Sequence, residues 1–193
     1  MKEYEIDYGS FIGGWYMPEE ICDSVVDVLI SEKDKLVDGE TGRGLTPELK
    51  KCKELYISPA DFDVKLKEYL DCLSKCVDLY KERYPFCDQV GVYSLRDNNI
   101  KIQHYMPGDG FYKWHAENGG SGYSTFRHLV FMTYLNTLDS AGTEFYYQKT
   151  ITPCEKGLTI IWPAGWTHTH RGVTNYESEK TIITGWYSFH EDQ

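Results

Sequence analysis

No run of about 18 consecutive apolar residues occurs in the 193-residue chain, so no segment reads as a membrane-spanning helix. The first residues, MKEYEIDYGSFIGG, lack the basic region and apolar stretch of a secretory leader, and a cytoplasmic location is the expectation. Basic side chains are in the minority: 20 Lys and Arg against 30 Asp and Glu leave a formal charge of -10. A surface of that sign repels phosphate backbones and anionic lipid headgroups, which removes nucleic acid and membrane from the expected partners. Low-complexity tracts, internal repeats and long linkers are also missing, and the 41% apolar and 26% charged content is that of an ordinary globular chain.

What is present suffices for one domain spanning residues 1–193, with 1–88 expected as a helical support region and 89–193 as a strand-rich core. The six cysteines, Cys22, Cys52, Cys72, Cys76, Cys87 and Cys154, are scattered through a chain too large to need staples, and reduced thiols are expected. Cys72 and Cys76 fall within a helical apolar stripe, where packing is a better account than metal binding.

From Pro18 to about Lys35, Ile21, Val25, Val28 and Leu29 share one helical face, with Pro18 suited to the first turn. The charged, Gly-containing stretch from Asp38 to Lys53 is expected to be a loop that could lie over a cleft. A second helix is expected to start at Ser58-Pro59-Ala60-Asp61, its apolar face made by Leu66, Tyr69, Leu70, Leu73, Val77 and Tyr80. After Pro85 the pattern turns to short β-branched and aromatic segments between Gly, Asn, Asp and Pro. Ile100, Ile102 and His104 alternate with Lys101, Gln103 and Tyr105, and further strands are expected at Phe126 to Asn136, Thr143 to Lys149, Leu158 to Trp162, His168 to Val173 and Lys180 to Phe189. The expected class is α+β, mainly β: a double-stranded β-helix or jelly roll buttressed by N-terminal helices.

Histidine is scarce enough for each of the six to be weighed. His115-Ala116-Glu117 and His190-Glu191-Asp192 are His-x-acid triplets, and this composition yields about one such triplet by chance. The second sits in the last residues, with nothing downstream to supply a further ligand, and reads as a solvated tail. For the first, alternate residues at a strand end project to one side. Two histidines and a carboxylate on one face of an octahedral ion leave positions open for substrate and oxygen, as in non-haem Fe(II) oxygenases. His168 and His170, in Trp166-Thr167-His168-Thr169-His170-Arg171-Gly172, are the candidates for the remaining ligand.

From Ile100 to Phe189 the sequence resembles the 2-oxoglutarate and Fe(II)-dependent dioxygenases, most nearly the prolyl 4-hydroxylase-like branch. Several spacings agree together. Tyr105 stands ten before His115, with Pro107-Gly108 between, and Tyr112 three before it; Arg127 stands seven before Tyr134. Gly142-Thr143-Glu144-Phe145 looks like the family's Gly-Gly-x-x-Phe strand start, and Lys180 follows His170 by ten and precedes Trp186 by six. That register selects His170 over His168, which remains the runner-up or a hydrogen-bond partner of the site.

The resemblance implies that His115, Glu117 and His170 bind Fe(II), that Lys180 pairs with the distal carboxylate of 2-oxoglutarate, that Tyr134 donates a hydrogen bond to it and that Tyr105 lines the same pocket. A buried lysine independently needs a counter-ion. Trp186 is expected as core packing. Most of the family has Asp where this chain has Glu117; a minority has Glu, iron binding is expected to survive, and a retained carboxylate disfavours halogenation. The implied activity is hydroxylation of a prolyl residue in a peptide or protein, with O2 as co-substrate, succinate and CO2 as products and ascorbate as a candidate reductant. Alternatives are a free amino acid or small metabolite as substrate, or a non-catalytic, cupin-like metal-binding module. The stretches Asp38 to Lys53 and Asn118 to Ser124 are candidate lids.

Overall fold

The computed structural model describes all residues except residue 43, residues 96–98 and residues 191–193. In chain order it runs β1 (Lys2–Glu3), β2 (Gly13–Tyr16), α1 (Glu19–Ser31), β3 (Val37–Asp38), β4 (Lys50–Lys51), β5 (Lys53–Ile57), α2 (Phe62–Lys65) and α3 (Lys67–Arg83). The strand-rich part follows as β6 (Tyr93–Ser94), β7 (Ile100–Tyr105), β8 (Gly110–Phe111), β9 (Arg127–Tyr134), β10 (Thr143–Phe145), β11 (Thr150–Ile151), β12 (Leu158–Pro163), β13 (His170–Gly172) and β14 (Lys180–Phe189). The major sheet has the antiparallel order β1-β2-β12-β9-β14-β7-β5-β3, with β6 also on β14; β11-β10-β13 and β4-β8 form the smaller sheets facing it. This is the mainly β jelly-roll arrangement with N-terminal helices.

Pleating sends successive side chains of the major sheet to opposite sides. Leu55 and Ile57 on β5, Ile100 and Ile102 on β7, Leu129 and Phe131 on β9, Ile161 on β12 and Ile183 on β14 all enter one apolar cluster with α1 and α3. The helices meet it with the faces their periodicity specifies: Cys22, Val25 and Leu29 from α1, and Tyr69, Leu73, Cys76, Val77 and Tyr80 from α3. Each large aliphatic side chain so buried contributes about 1.5–3 kcal/mol. The Tyr69 hydroxyl meets Thr133 Oγ1 at 3.0 Å, and Thr133 meets Thr159 at 2.8 Å, so the hydroxyls within this layer are satisfied. The opposite face carries Tyr105, Val130, Met132, Tyr134, Ile160, Trp162, Ile182 and Trp186 into a second cluster, between the two layers of the jelly roll.

Several elements depart from expectation. Residues 1–88, expected as helical support, also contribute β1, β2, β3 and β5 to the major sheet. The stretch from Asp38 to Lys53 is a loop only in its middle: β4 pairs Lys50 with Phe111, and β5 extends the sheet beside β7. Their charged composition and brevity hide a strand signal that pairing partners distant in sequence supply. Strand β10 ends at Phe145, and residues 166–168 form a 3-10 turn before β13. All six cysteines are free thiols, and Cys76 is fully buried in the helix–sheet core. Among the described residues no helix is long and apolar enough to cross a membrane.

Gly142 occupies the most crowded backbone position. A Cβ there would lie 1.6 Å from the backbone carbonyl oxygen of Thr152, just beyond β11, too close for side-chain adjustment alone. Gly142→Ala is therefore expected to push β10 away from β11 and to destabilise the protein by about 1–3 kcal/mol, read as a lower urea midpoint. An unchanged midpoint would mean that this close approach is not maintained.

Candidate active site

Two reciprocal backbone bonds assemble the centre: His115 N–H donates to His170 O at 3.0 Å, and His170 N–H donates to His115 O at 2.9 Å. Glu117 N–H is anchored on Ala164 O at 3.1 Å, just beyond β12. The pair His115 and Glu117 thus sits in an irregular segment held against β12 and β13, rather than at the end of a regular strand. His115, Glu117 and His170 bring one ligand-type atom each to within 4.8 Å of one another; among the described residues no other group of three or more His, Cys, Asp or Glu does so.

The hydrogen bonds determine which nitrogens face inward. His115 Nδ1 lies 2.9 Å from Lys113 O, and His170 Nδ1 lies 2.8 Å from His168 O. A carbonyl only accepts, so each Nδ1 carries a proton and Nε2 is the ring nitrogen left to face the centre. Both Nε2 atoms approach Oε1 of Glu117, at 3.3 and 3.6 Å. Burial, reinforced by repulsion from His170, lowers the His115 pKa and disfavours a proton there. Burial alone would raise the Glu117 carboxyl, but its contacts to His115 and His170 hold it well below the usual range. Two imidazole nitrogens and a carboxylate oxygen that converge in this way are held together by a cation between them, whether a proton or a metal ion, and this donor set suits Fe(II).

Surrounding groups orient these donors. Phe111 stacks on the His115 ring at 3.6 Å and 11°, while Trp162 stands edge-on to His170 at 5.1 Å. The other oxygen of Glu117, Oε2, accepts from Trp186 Nε1 at 3.0 Å and Arg127 Nη1 at 3.1 Å. The longer reach of Glu relative to Asp is thereby used: one oxygen faces the histidines and the other is clamped. Trp186 packs in the second core cluster as expected and also forms part of the site wall, with Arg127 3.6 Å over its ring. Even spacing from Lys180 along β14 places both on one face, which is the signal that identifies Trp186.

His168 is excluded from the centre. Its ring is buried and turned away, with Nε2 2.9 Å from Ser10 O and Nδ1 3.0 Å from Thr167 Oγ1; only its carbonyl serves the site, through His170. The 3-10 turn at residues 166–168 takes it off the strand face it was expected to share. In the second His-x-acid triplet, His190 is exposed, and residues 191 and 192 lie outside the described residues.

A cavity of about 560 Å³ opens from the three donors and reaches Lys180, Tyr105 and Tyr134. Lys180 is 5% exposed, donates to Ala141 O at 3.1 Å and Val173 O at 3.2 Å, and has no carboxylate partner among the described residues. Burial lowers its pKa, the mark of an ammonium lacking a counter-ion. Trp162 Nε1 is a buried donor without an acceptor among the described residues, on the same cavity wall. A dicarboxylate fits both demands. Tyr105 faces Lys180 with its ring, 5.1 Å from Nζ, while its hydroxyl donates to Gln103 Oε1 at 2.8 Å. The Tyr134 hydroxyl lies 2.8 Å from Thr143 Oγ1 and 2.7 Å from Thr152 Oγ1; accepting from both leaves its own hydrogen for a ligand. Both candidate lids reach the rim, through Glu40, Thr41 and Gly42 and through Gly119 and Ser124.

Separation of roles follows for the two histidines. His170→Ala is expected to abolish iron retention, measured by metal analysis after desalting, whereas His168→Ala should retain iron and lose about 1–3 kcal/mol of stability by stranding the Ser10 carbonyl. Burial also lowers the pKa of His128 and His168, as it does that of His115. An unfolded histidine titrates near 6.5, so below that pH the unfolded chain binds more protons than the folded one and stability falls. The Tm of metal-free protein should decline from about pH 7 to about pH 5; a constant Tm would contradict the burial of these rings.

The 2OG-Fe(II) oxygenase superfamily model matches residues 100–188, the segment that contains all three donors and Lys180. No curated protein sequence matches the chain. Among solved structures, the viral collagen prolyl hydroxylase of Paramecium bursaria Chlorella virus-1, in complex with 2OG, has a TM-score of 0.70 at 17% identity, covering 96% of this chain and 100% of that one. A Pseudomonas putida prolyl-4-hydroxylase gives 0.69 at 14% identity, with 93% of each chain covered. A Trichoplax adhaerens prolyl hydroxylase, bound to a fragment of the hypoxia inducible factor oxygen degradation domain, gives 0.70 at 16%, covering 93% of this chain and 84% of that one. At these identities the likeness is one of fold; the superfamily model covers residues 100–188, the part of the chain that holds the site, and that family implies Fe(II) and 2-oxoglutarate as cofactor and cosubstrate.

Proposed function

We propose that the protein hydroxylates a prolyl residue in a peptide, with His115, Glu117 and His170 as the Fe(II) ligands and Lys180 as the residue that holds the distal carboxylate of 2-oxoglutarate. The observation that carries this reading is the buried, carboxylate-free Lys180 ammonium on the same cavity as the three donors. A metal-binding module without cosubstrate has no use for a lysine there, and burying it uncompensated would be costly. Relatives in fold that act on prolyl residues, one of them bound to a peptide, support a peptide substrate.

Bound Fe(II) and 2-oxoglutarate, with O2, supply an oxidation in which succinate and CO2 leave and a substrate C–H bond becomes C–OH. The chain's own contribution is orientation and exclusion of water. Lys113 O and His168 O keep the two Nε2 atoms turned toward the centre, and Trp186 with Arg127 prevents Glu117 from rotating away. Lys180 sets the depth at which a dicarboxylate stops, with Tyr105 forming the wall beside it. Met132, Trp162 and Ile182 give the cavity an apolar lining that shields a reactive centre from side reactions.

Lys180→Ala should raise the apparent 2-oxoglutarate constant roughly ten- to a hundredfold, the loss expected for a charge-assisted hydrogen bond. Iron retention should remain near that of the wild type. Anaerobic titration of the visible charge-transfer band measures both, and equal cosubstrate affinity in the two proteins would remove Lys180 from this role. Lys180→Arg should recover part of the affinity, because a guanidinium also pairs with a carboxylate but projects further.

A further inference from the structure

Away from Lys180, the cavity wall has a second accumulation of positive charge that neither iron nor cosubstrate accounts for. Lys101 projects from β7 on the same face as Gln103 and Tyr105, into the cavity. Its Nζ lies 4.8 Å from the centroid of Tyr56 and 5.5 Å from that of Trp186. The indole of Trp186 in turn donates to Glu117 and carries Arg127 on its face, so Lys101 stands one aromatic ring away from the proposed iron ligand.

The nearest acid to Lys101 is Glu54, with Oε2 at 3.5 Å. Glu54 is fully buried and already engaged: its Oε1 is paired with Lys50 and accepts from Gln103 Nε2 at 2.6 Å, and its Oε2 accepts from Tyr56 at 2.7 Å. One carboxylate therefore serves two ammonium groups. On the cavity wall Lys50, Lys101, Lys113, Arg127 and Lys180 oppose Glu40 and Glu117, with Glu54 behind Lys50 and Lys101, a surplus of two positive charges. A dication and a dianionic cosubstrate together leave that surplus unchanged. In a protein whose overall charge is -10, such a local reversal in a shielded cavity is a recognition feature rather than a consequence of composition. The depressed pKa of Lys101, caused first by burial, is consistent with an ammonium short of counter-charge.

We infer that the substrate carries a carboxylate close to the carbon that is hydroxylated, and that Lys101 is the residue that recognises it, with Tyr56 and Trp186 holding the ammonium in place. The inference deepens the prolyl-peptide reading and rests on it: the class it names is an acidic prolyl peptide. The same chemistry is offered by an acidic side chain beside the proline or by a terminal carboxylate, and by the carboxylate of a free amino acid.

The test uses the Fe(II)- and 2-oxoglutarate-loaded enzyme and two sets of probes. The first is a single-proline hexapeptide, blocked at both ends, with Glu, Gln or Lys placed on either side of the proline; the second is N-acetylproline and N-acetylglutamate against their amides. Binding is followed anaerobically by the perturbation of the charge-transfer band, and turnover by succinate release. The Glu peptide should bind about tenfold or more tightly than the Gln peptide, as a charge-assisted bond predicts. Lys101→Met keeps the packing between the two rings and should reduce that preference to about twofold or less, while Lys101→Arg restores most of it. Iron and 2-oxoglutarate affinities should stay within about twofold in both variants, which a general structural defect would not permit.

Equal binding of Glu and Gln peptides by the wild type, or a preference that survives in Lys101→Met, overturns the inference. If no peptide is bound or hydroxylated but the free carboxylates perturb the band in a Lys101-dependent way, carboxylate recognition stands and the peptide reading of the function fails. Silence of both probe sets overturns the recognition as well.

Discussion

The pleat of the major sheet assigns every residue of β5, β7, β9, β12 and β14 to one of two environments, and the protein's chemistry depends on that division. On one side Leu55, Ile102, Phe131, Ile161 and Ile183 are sealed beneath α1 and α3. On the other, Lys101, Tyr105, Tyr134, Trp162, Lys180 and Trp186 face a single cavity. A shift of one residue in any of these strands would exchange the two sets and bury a lysine among aliphatic side chains. The helix-facing core, which makes such a shift costly, is in this sense what positions the site.

Electrostatics within the cavity follow from this enclosure. Three electron-pair donors converge within 4.8 Å of one another, and among the described residues a buried ammonium has no carboxylate and an indole N–H no acceptor. Each is a cost in the isolated chain that a cation and a dicarboxylate would offset. The clamp on Glu117 has a related logic. Trp186 and Arg127 occupy the oxygen remote from the histidines, so the longer side chain loses its freedom to swing. Glu at this position is thus accommodated by two residues that lie 10 and 69 positions further along the chain.

Much of this was legible before any coordinates. Strand β14 coincides with the expected Lys180 to Phe189, and both long helices bury the faces their periodicity specifies. That His115, Glu117 and His170 converge could be expected because the His-x-acid triplet combines with the resembled family's spacing of ten from His170 to Lys180. Strands β2 and β5 were not legible, since four or five residues with two glycines or alternating charge make no period strong enough to stand apart from a loop. Trp186 does pack in the core, as an aromatic residue on a barrel strand ordinarily does; its even spacing from Lys180 marks the face it shares, but nothing local marks that its indole N–H meets a carboxylate.

By itself the sequence determined the identities and spacings: which side chains can donate to a metal, which strand faces they share, and that both helices are amphipathic. These are local properties, governed by backbone periodicity and side-chain chemistry. Only the tertiary structure decided that His168 turns to Ser10 while His170 turns inward, that Glu54 is shared by Lys50 and Lys101, and that Trp186 reaches Glu117. Those outcomes depend on hydrogen bonds and burial between segments up to 158 residues apart, whose direction no local pattern encodes.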